Sequence, residues 1–271
     1  MAPTPVSPAD TKKSDTDFTP SNQYWAETHS VENMPSVLES YNAYKQDQAL
    51  VDAVNVNGGS WAEGDLSRFG NLCGSEELIT WGAQANENKP TLHTHSRQGA
   101  RIDEVRFHPS YHQLMDVSMR EGIHSSHWSA PKSGAHVARA AKSYLMAQVE
   151  AGHGCPITMT SAAIPTLMRQ PDLYAQWADK VMNRGYDARN ISHDLKESVT
   201  IGMAMTEKQG GSDVQANSTR AFPVGVKGAG QLYELVGHKY FVSAPMSDAF
   251  LVLAQAEGGI SCFLVPRWRP D

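Results

Sequence analysis

Met205-Thr206-Glu207-Lys208-Gln209-Gly210-Gly211-Ser212-Asp213 sets two adjacent glycines between hydroxyl side chains in one short stretch. Glycines there let the backbone turn sharply and open its N–H groups to a ligand. A flat, oxygen-rich molecule could lie against such a loop. About thirty residues on comes Gly237-His238-Lys239-Tyr240-Phe241-Val242-Ser243, strand-like, with an aromatic residue two positions before a hydroxyl. Either piece alone is compatible with an ordinary polar turn or a strand end; the pair in this order is what carries information.

Around these segments the chain changes character near residue 197. Before it the apolar period is helical, and after it short apolar runs alternate with turn residues. Ser133 can cap a helix that Gly152 can end, with Val137, Ala141, Leu145 and Val149 as its apolar stripe. Pro109 can open a helix carrying Tyr111, Leu114, Met115 and Met119. Leu173, Trp177 and Val181 form another stripe, closed by Gly185. Val37 to Val54 and Glu76 to Gln84 also read as helical, whereas Gly58-Gly59 and Asn86 to Arg101 read as loops.

Beyond residue 197, Val199 to Met205 is one apolar run, and Gln231 to Val242 holds one or two strands broken at Gly237. Phe250 to Ala256 and Ile260 to Val265 flank Glu257-Gly258-Gly259 as a hairpin, and Gly225 to Gly230 is a surface loop. The expected fold class is α+β: a tail over 1–22, an all-α helical region over 23–197, and an incomplete antiparallel β-barrel over 198–271.

The 271 residues include 40% hydrophobic side chains, enough for a substantial core. The net charge is −6 and the isoelectric point about 6.0, which gives no global case for nucleic-acid binding. Cys73, Cys155 and Cys262 are scattered and odd in number, without a CxxC pair, and read as reduced thiols. There is no apolar run long enough to span a membrane. Residues 1 to about 22 are rich in Pro, Ser, Thr, Asp and Lys and lack the marks of a signal peptide, so the expected location is cytoplasmic.

The order of a helical region, Met-Thr-Glu-x-x-Gly-Gly-Ser-Asp, Gly-x-Lys-x-aromatic-x-Ser and a Phe-x-Val-Pro strand resembles the acyl-CoA dehydrogenase family. More narrowly it resembles the AidB, or alkylation-response, branch. Arg106-Phe107-His108-Pro109, Cys155-Pro156-Ile157-Thr158-Met159-Thr160, Ser247-Asp248-Ala249 and Gly259-Ile260-Ser261-Cys262-Phe263 carry the same likeness.

The resemblance implies FAD as cofactor and an acyl thioester or related small substrate, oxidised by proton abstraction and hydride transfer to flavin N5. It assigns flavin contacts to Met205, Thr206, Gly211, Ser212, Phe241, Val242 and Ser243. Thr206 and the loop backbone from Met203 serve the N1/C2=O edge, Gly211 and Ser212 the ribityl-pyrophosphate, Phe241 the ring and Ser243 the N5 side. Many relatives carry Trp and Thr at the last two. It also implies that the rest of the barrel and a C-terminal helical bundle are missing here. The bundle carries the catalytic base and much of a homotetramer interface, and DNA binding is expected only through that missing part. No catalytic residue is therefore expected within this chain. A flavin-binding or DNA-protective scaffold without turnover is the alternative.

Other chemistries find less support. His108 and His112 could share a helical face, but no Glu completes an H-E-x-x-H metal motif, so no metal site is expected. Glu207 and Asp213 read as loop-structuring carboxylates. A G-x-S-x-G elbow is lacking, which argues against a nucleophilic hydrolase, and no helix of the needed length follows the Gly-rich loop, which argues against a Rossmann site.

Overall fold

The computed structural model describes residues 33–268. The tail expected over residues 1–22 lies outside them. Residues 33–37 belong to a separate N-terminal unit and carry no helix or strand. From Leu38 onward the chain packs as one unit.

Its helices are α1 (Gln48–Val56), α2 (Glu63–Cys73), α3 (Glu76–Glu87), α4 (Pro109–Arg120), the short α5 (Ser126–Ser129), α6 (Ala135–Val149), α7 (Gly154–Leu167) and α8 (Pro171–Met182). Local chemistry sets most of the boundaries. Asp47 accepts from Leu50 N at the start of α1, and Ser75 accepts from Leu78 N at the start of α3. Pro109 opens α4 behind His108, whose Nδ1 accepts from Ser110 N.

Several expected boundaries move. The helix expected from Val37 begins only at Gln48. Asn42 explains this: its amide donates to Ser67 O and Asn71 Oδ1, and its Oδ1 accepts from the N–H groups of Tyr44 and Lys45. The chain before α1 is thereby held in a turn against α2, with Ala43 N donating to Gly70 O. Helix α6 is capped by Gly134 at φ 76°, not by Ser133, and it stops at Glu150 rather than Gly152.

Asn86 to Arg101 is not loop throughout. Strands β1 (Thr91–His95) and β2 (Arg101–Arg106) pair as an antiparallel hairpin, so the helical region is not all-α. Its turn is local: Ser96 Oγ accepts from Gln98 N and Ala100 N, and Gly99 takes φ 82°.

Strands β3 (Ile201–Ala204), β4 (Arg220–Pro223), β5 (Tyr233–Val236), β6 (Ala249–Ala256) and β7 (Gly259–Pro266) form one sheet. The sheet is open and mixed. β4–β5 and β6–β7 are antiparallel, as the turn signals predict, but β3 lies parallel to β6, with Ile201 opposite Ala249. β4 meets β6 at Arg220 and Gln255, also in parallel. The long connection 205–219 carries the chain off β3, so β3 has no hairpin partner. Of the one or two strands expected over Gln231 to Val242, one forms, β5, and the segment from Gly237 to Val242 is irregular.

Two apolar clusters hold these elements together. Leu66, Phe69, Leu78, Leu114, Met115, Met119, Leu145 and Met146 join α2, α3, α4 and α6. Ala163, Ile164, Leu167, Trp177 and Val181 of α7 and α8 pack on Val199, just before β3, and on Ile201, Ala249 and Leu251 of the sheet. The change of pattern at residue 197 thus divides helix from strand along the chain, while this second cluster spans both.

Helix α7 contributes a polar tie as well. Pro165 has no N–H for the carbonyl of Ser161, and the Trp128 indole N–H donates to that carbonyl at 2.9 Å. Thr160 Oγ1 accepts from Ile201 N, fixing β3 to the helix.

The firmest polar link between the helix-side chain and the sheet is ionic. Lys196 Nζ lies 2.7 Å from Asp248 Oδ1, both side chains being almost wholly buried, and Asp248 Oδ2 accepts from Thr200 N. Removing one partner strands the other charge in the interior. Lys196→Ala is expected to lower unfolding stability by about 3–5 kcal/mol, measured by urea denaturation. Lys196→Ala combined with Asp248→Ala should lose less than the sum of the single changes. An additive double mutant would show that the pair does not interact.

Candidate cofactor site

The two segments singled out in the sequence meet in space. Thr206 Oγ1 donates to Tyr240 O at 2.6 Å, and Tyr240 N donates to Thr206 O at 3.1 Å. Lys208 N donates to His238 Nε2 at 3.2 Å. Beneath them lies Glu207, with a side chain wholly removed from solvent. Its Oε2 accepts from Ser218 N, Ser218 Oγ and Gln209 Nε2, and its Oε1 accepts from Thr219 N and Thr219 Oγ1. Lys239 Nζ, from the second segment, stands 3.3 Å from Oε1.

Glu207 therefore gathers the first loop, the entry to β4 and the second segment around one carboxylate. Burial alone would raise its pKa, but the donors from Thr219 and Ser218 outweigh burial and hold it far below the usual carboxylate range. A depressed folded-state value means this stabilisation is present above the ordinary glutamate range and persists well into acid.

The seven residues expected at the site lie as follows. Met205 is half-buried and packs on the helix–sheet cluster. Thr206 commits its hydroxyl proton to Tyr240, so backbone N–H groups remain as the donors on that side. Gly211 faces Thr206: a Cβ built on it would fall 2.6 Å from Thr206 Cγ2. Ser212 is exposed and Val242 and Ser243 are half-buried. Phe241 is 80% exposed and sits at φ 64°, and Ala244 at φ 52°.

Two non-glycine residues in the left-handed region, on either side of Val242 and Ser243, hold a strained turn that offers a bare aromatic ring to solvent. The contacts join the segments at Thr206 and Tyr240. Ser243 makes none of these cross-links. Asp213 caps a short turn by accepting from Gln215 N.

Sequence reasoning quoted Lys239 and Tyr240 within the second segment without giving them a role, and did not single out Ser218 or Thr219. Their roles depend on pairing across distant segments, and only the burial of Glu207 reveals them. Nor do any of the seven residues line the cavity beneath the β1–β2 hairpin. That space of about 1070 Å³ lies at the other end of β3, between Phe107, Tyr111 and Met115 on one side and Lys196, Asp248 and Arg267 on the other.

The histidines have other duties. His112 shares a hydrogen bond with Tyr186 Oη, and His124 with Asn183 O. Among the described residues no group of three or more His, Cys, Asp or Glu is placed to hold a metal ion. No described helix is long and apolar enough to cross a membrane.

Residues 33–188 match the model of the adaptive response protein AidB N-terminal domain, and residues 202–271 match that of the acyl-CoA dehydrogenase middle domain. The chain belongs to the AidB branch of the acyl-CoA dehydrogenase family. It is 46% identical to Escherichia coli (strain K12) AidB over 250 residues, which is 92% of this chain and 45% of that relative. It is 32% identical to acyl-CoA dehydrogenase family member 11 of Caenorhabditis elegans over 70% of this chain and 30% of that one. The chain thus spans less than half the length of both relatives.

Among solved structures, Bd2924 in its apo form superposes with a TM-score of 0.74 at 25% identity, over 88% of this chain and 48% of that chain. Caenorhabditis elegans ACDH-11 in complex with C11-CoA gives 0.72 at 25% identity, over 89% and 42%. The acyl-CoA dehydrogenase architecture expected from the motifs is the one observed, with the sheet open.

The buried carboxylate makes the first site prediction. Glu207→Ala leaves the N–H groups of Ser218 and Thr219 without an acceptor and is expected to destabilise the protein by about 3 kcal/mol or more. It should also admit protease cleavage between residues 208 and 216. Unchanged denaturation and an uncut loop would show that the carboxylate does not organise the segment.

Proposed function

We propose that the clasped segments hold FAD and that the full-length protein is an AidB-like flavoprotein of the acyl-CoA dehydrogenase type. The observation that carries this reading is the paired Thr206–Tyr240 hydrogen bonds, which join the Gly211 loop, packed on Thr206, to the segment that bears the exposed Phe241. The residues present fit such a group. An aromatic ring left 80% in solvent on a strained turn suits stacking on a flat ring system. The absence of a side chain at Gly211 lets the loop backbone pack against Thr206, at the Thr206–Tyr240 junction.

In this reading Gly211 and Ser212 hold the ribityl-pyrophosphate. Thr206 and the amides of the Met205 loop face the N1/C2=O edge, Phe241 and Val242 pack along the ring, and Ser243 offers its hydroxyl near N5. Bound FAD would supply the hydride acceptor for oxidation of an acyl thioester or related small molecule. The chain's own part is to bind and orient. The complex of ACDH-11 with C11-CoA supports an acyl-CoA type of substrate. We assign the base to no residue here. The division into parts 23–197 and 198–271, a homotetramer and a cytoplasmic location belong to the same proposal.

A second reading, a flavin-binding or DNA-protective scaffold without turnover, is favoured by one observation. The carboxylates of the first segment, Glu207 and Asp213, are already engaged in holding the loop.

Titration of the purified full-length protein with FAD tests the proposal through flavin absorption and fluorescence quenching. Phe241→Ala is expected to weaken FAD roughly tenfold or more, and Gly211→Val to weaken it further while far-ultraviolet circular dichroism stays constant. A colourless protein that rejects added FAD would contradict the proposal. Tight FAD binding without oxidation of any acyl-CoA would move the assignment to the scaffold.

A further inference from the structure

A second group of residues, remote in sequence from the clasped segments, has the geometry of a nucleophile–base–carboxylate relay. Ser118 of α4 lies with its Oγ 2.9 Å from His153 Nε2. His153 Nδ1 lies 2.8 Å from Glu150 Oε2. The three come from two places in the chain, the inward face of α4 and the turn between α6 and α7. All three are buried, with 1%, 1% and 8% of the surfaces of Ser118, His153 and Glu150 exposed.

Glu150 is fixed by its own contacts, accepting from Gly152 N at 2.6 Å and from His153 N at 2.8 Å. With Glu150 Oε2 accepting the hydrogen bond from Nδ1–H, His153 Nε2 is the acceptor for the Ser118 hydroxyl. This is the arrangement that turns a weak hydroxyl into a nucleophile, and it is recognised by geometry rather than by a sequence motif. Two of its distances match the range such relays require.

The relay also opens onto space. Ser118, Glu150 and His153 all line a cavity of about 400 Å³, whose remaining walls are largely apolar: Ile123, Met146, Ala147 and Ile157. A polar end and an apolar body of this size suit a short acyl group.

We propose that Ser118, His153 and Glu150 form an acyl-transfer site that hydrolyses short-chain esters or thioesters, independent of the flavin reading. Ser118 Oγ bonds to the acyl carbon while its proton passes to His153 Nε2. That proton leaves with the alcohol or thiol as the C–O or C–S bond breaks. Water then attacks the acyl-serine, its proton again taken by His153 and returned to Ser118 Oγ, and the carboxylic acid departs. Ser118 is the nucleophile, His153 the general base, and Glu150 a positioning residue that sets the imidazole tautomer.

The test is labelling of the intact wild-type protein with a fluorophosphonate, located by tandem mass spectrometry, together with hydrolysis of p-nitrophenyl butyrate. The expected result is a label on Ser118 and turnover that falls on the order of 10²-fold or more in Ser118→Ala. Glu150→Gln should lower kcat with KM little changed, as expected of a residue that acts by orienting His153. A folded wild-type protein that takes no label, or takes it on another serine, overturns the proposal whether or not Ser118→Ala folds. So does turnover that Ser118→Ala leaves unchanged. In those cases the three residues serve only to pin the α6–α7 turn onto α4.

Discussion

A single buried carboxylate determines how the sheet part of this chain is arranged. Glu207 follows the last strand residue of β3 by three positions, where the backbone would otherwise turn back in a hairpin. Donors from Ser218, Thr219, Gln209 and Lys239 converge on it instead. A naked carboxylate in that position would be costly, since burial of an unpaired charge outweighs most single contacts. Surrounded by donors, it becomes the point through which the first loop, the entry to β4 and the Gly237–Ser243 segment keep fixed relations. The parallel alignment of β3 with β6 follows, because the loop so organised leads away from β3 and the edge of β3 is left for a later strand.

The helical part rests on a different principle. Its core is conventional apolar packing, but α7 and α8 also turn apolar side chains to the sheet, while Ile157 of α7 joins the helical cluster. Two polar ties then set register where apolar contact alone would allow sliding. Thr160 fixes β3 to α7, and the Lys196–Asp248 pair fixes the chain entering β3 to the first turn into β6. Buried polar contacts of this kind add less stability than specificity.

Much of this was legible in the sequence where local chemistry decides. Pro109 before a run of buried apolar positions gives α4, and Glu257-Gly258-Gly259 between two apolar runs gives the β6–β7 hairpin. The meeting of the Met205–Asp213 and Gly237–Ser243 segments was legible only through family likeness, since no local rule joins residues so far apart. What escaped reading was decided by distant partners. Asn42 holds its neighbours out of a helix through α2, and β3 finds its partner after two intervening strands. The helical expectation at Val37 and the purely antiparallel expectation failed for that reason. The Ser118–His153–Glu150 relay is likewise invisible in sequence, because the helix that carries Ser118 offers no motif.

The central claim is that the two segments form one binding surface. Hydrogen–deuterium exchange of the full-length protein, with and without FAD, tests this directly. The amides of Gly211 and Ser212 should slow together with those of Val242 and Ser243, while the β1–β2 hairpin exchanges as before. Protection confined to one segment, or gathered instead around the cavity of Tyr111 and Lys196, would contradict the account.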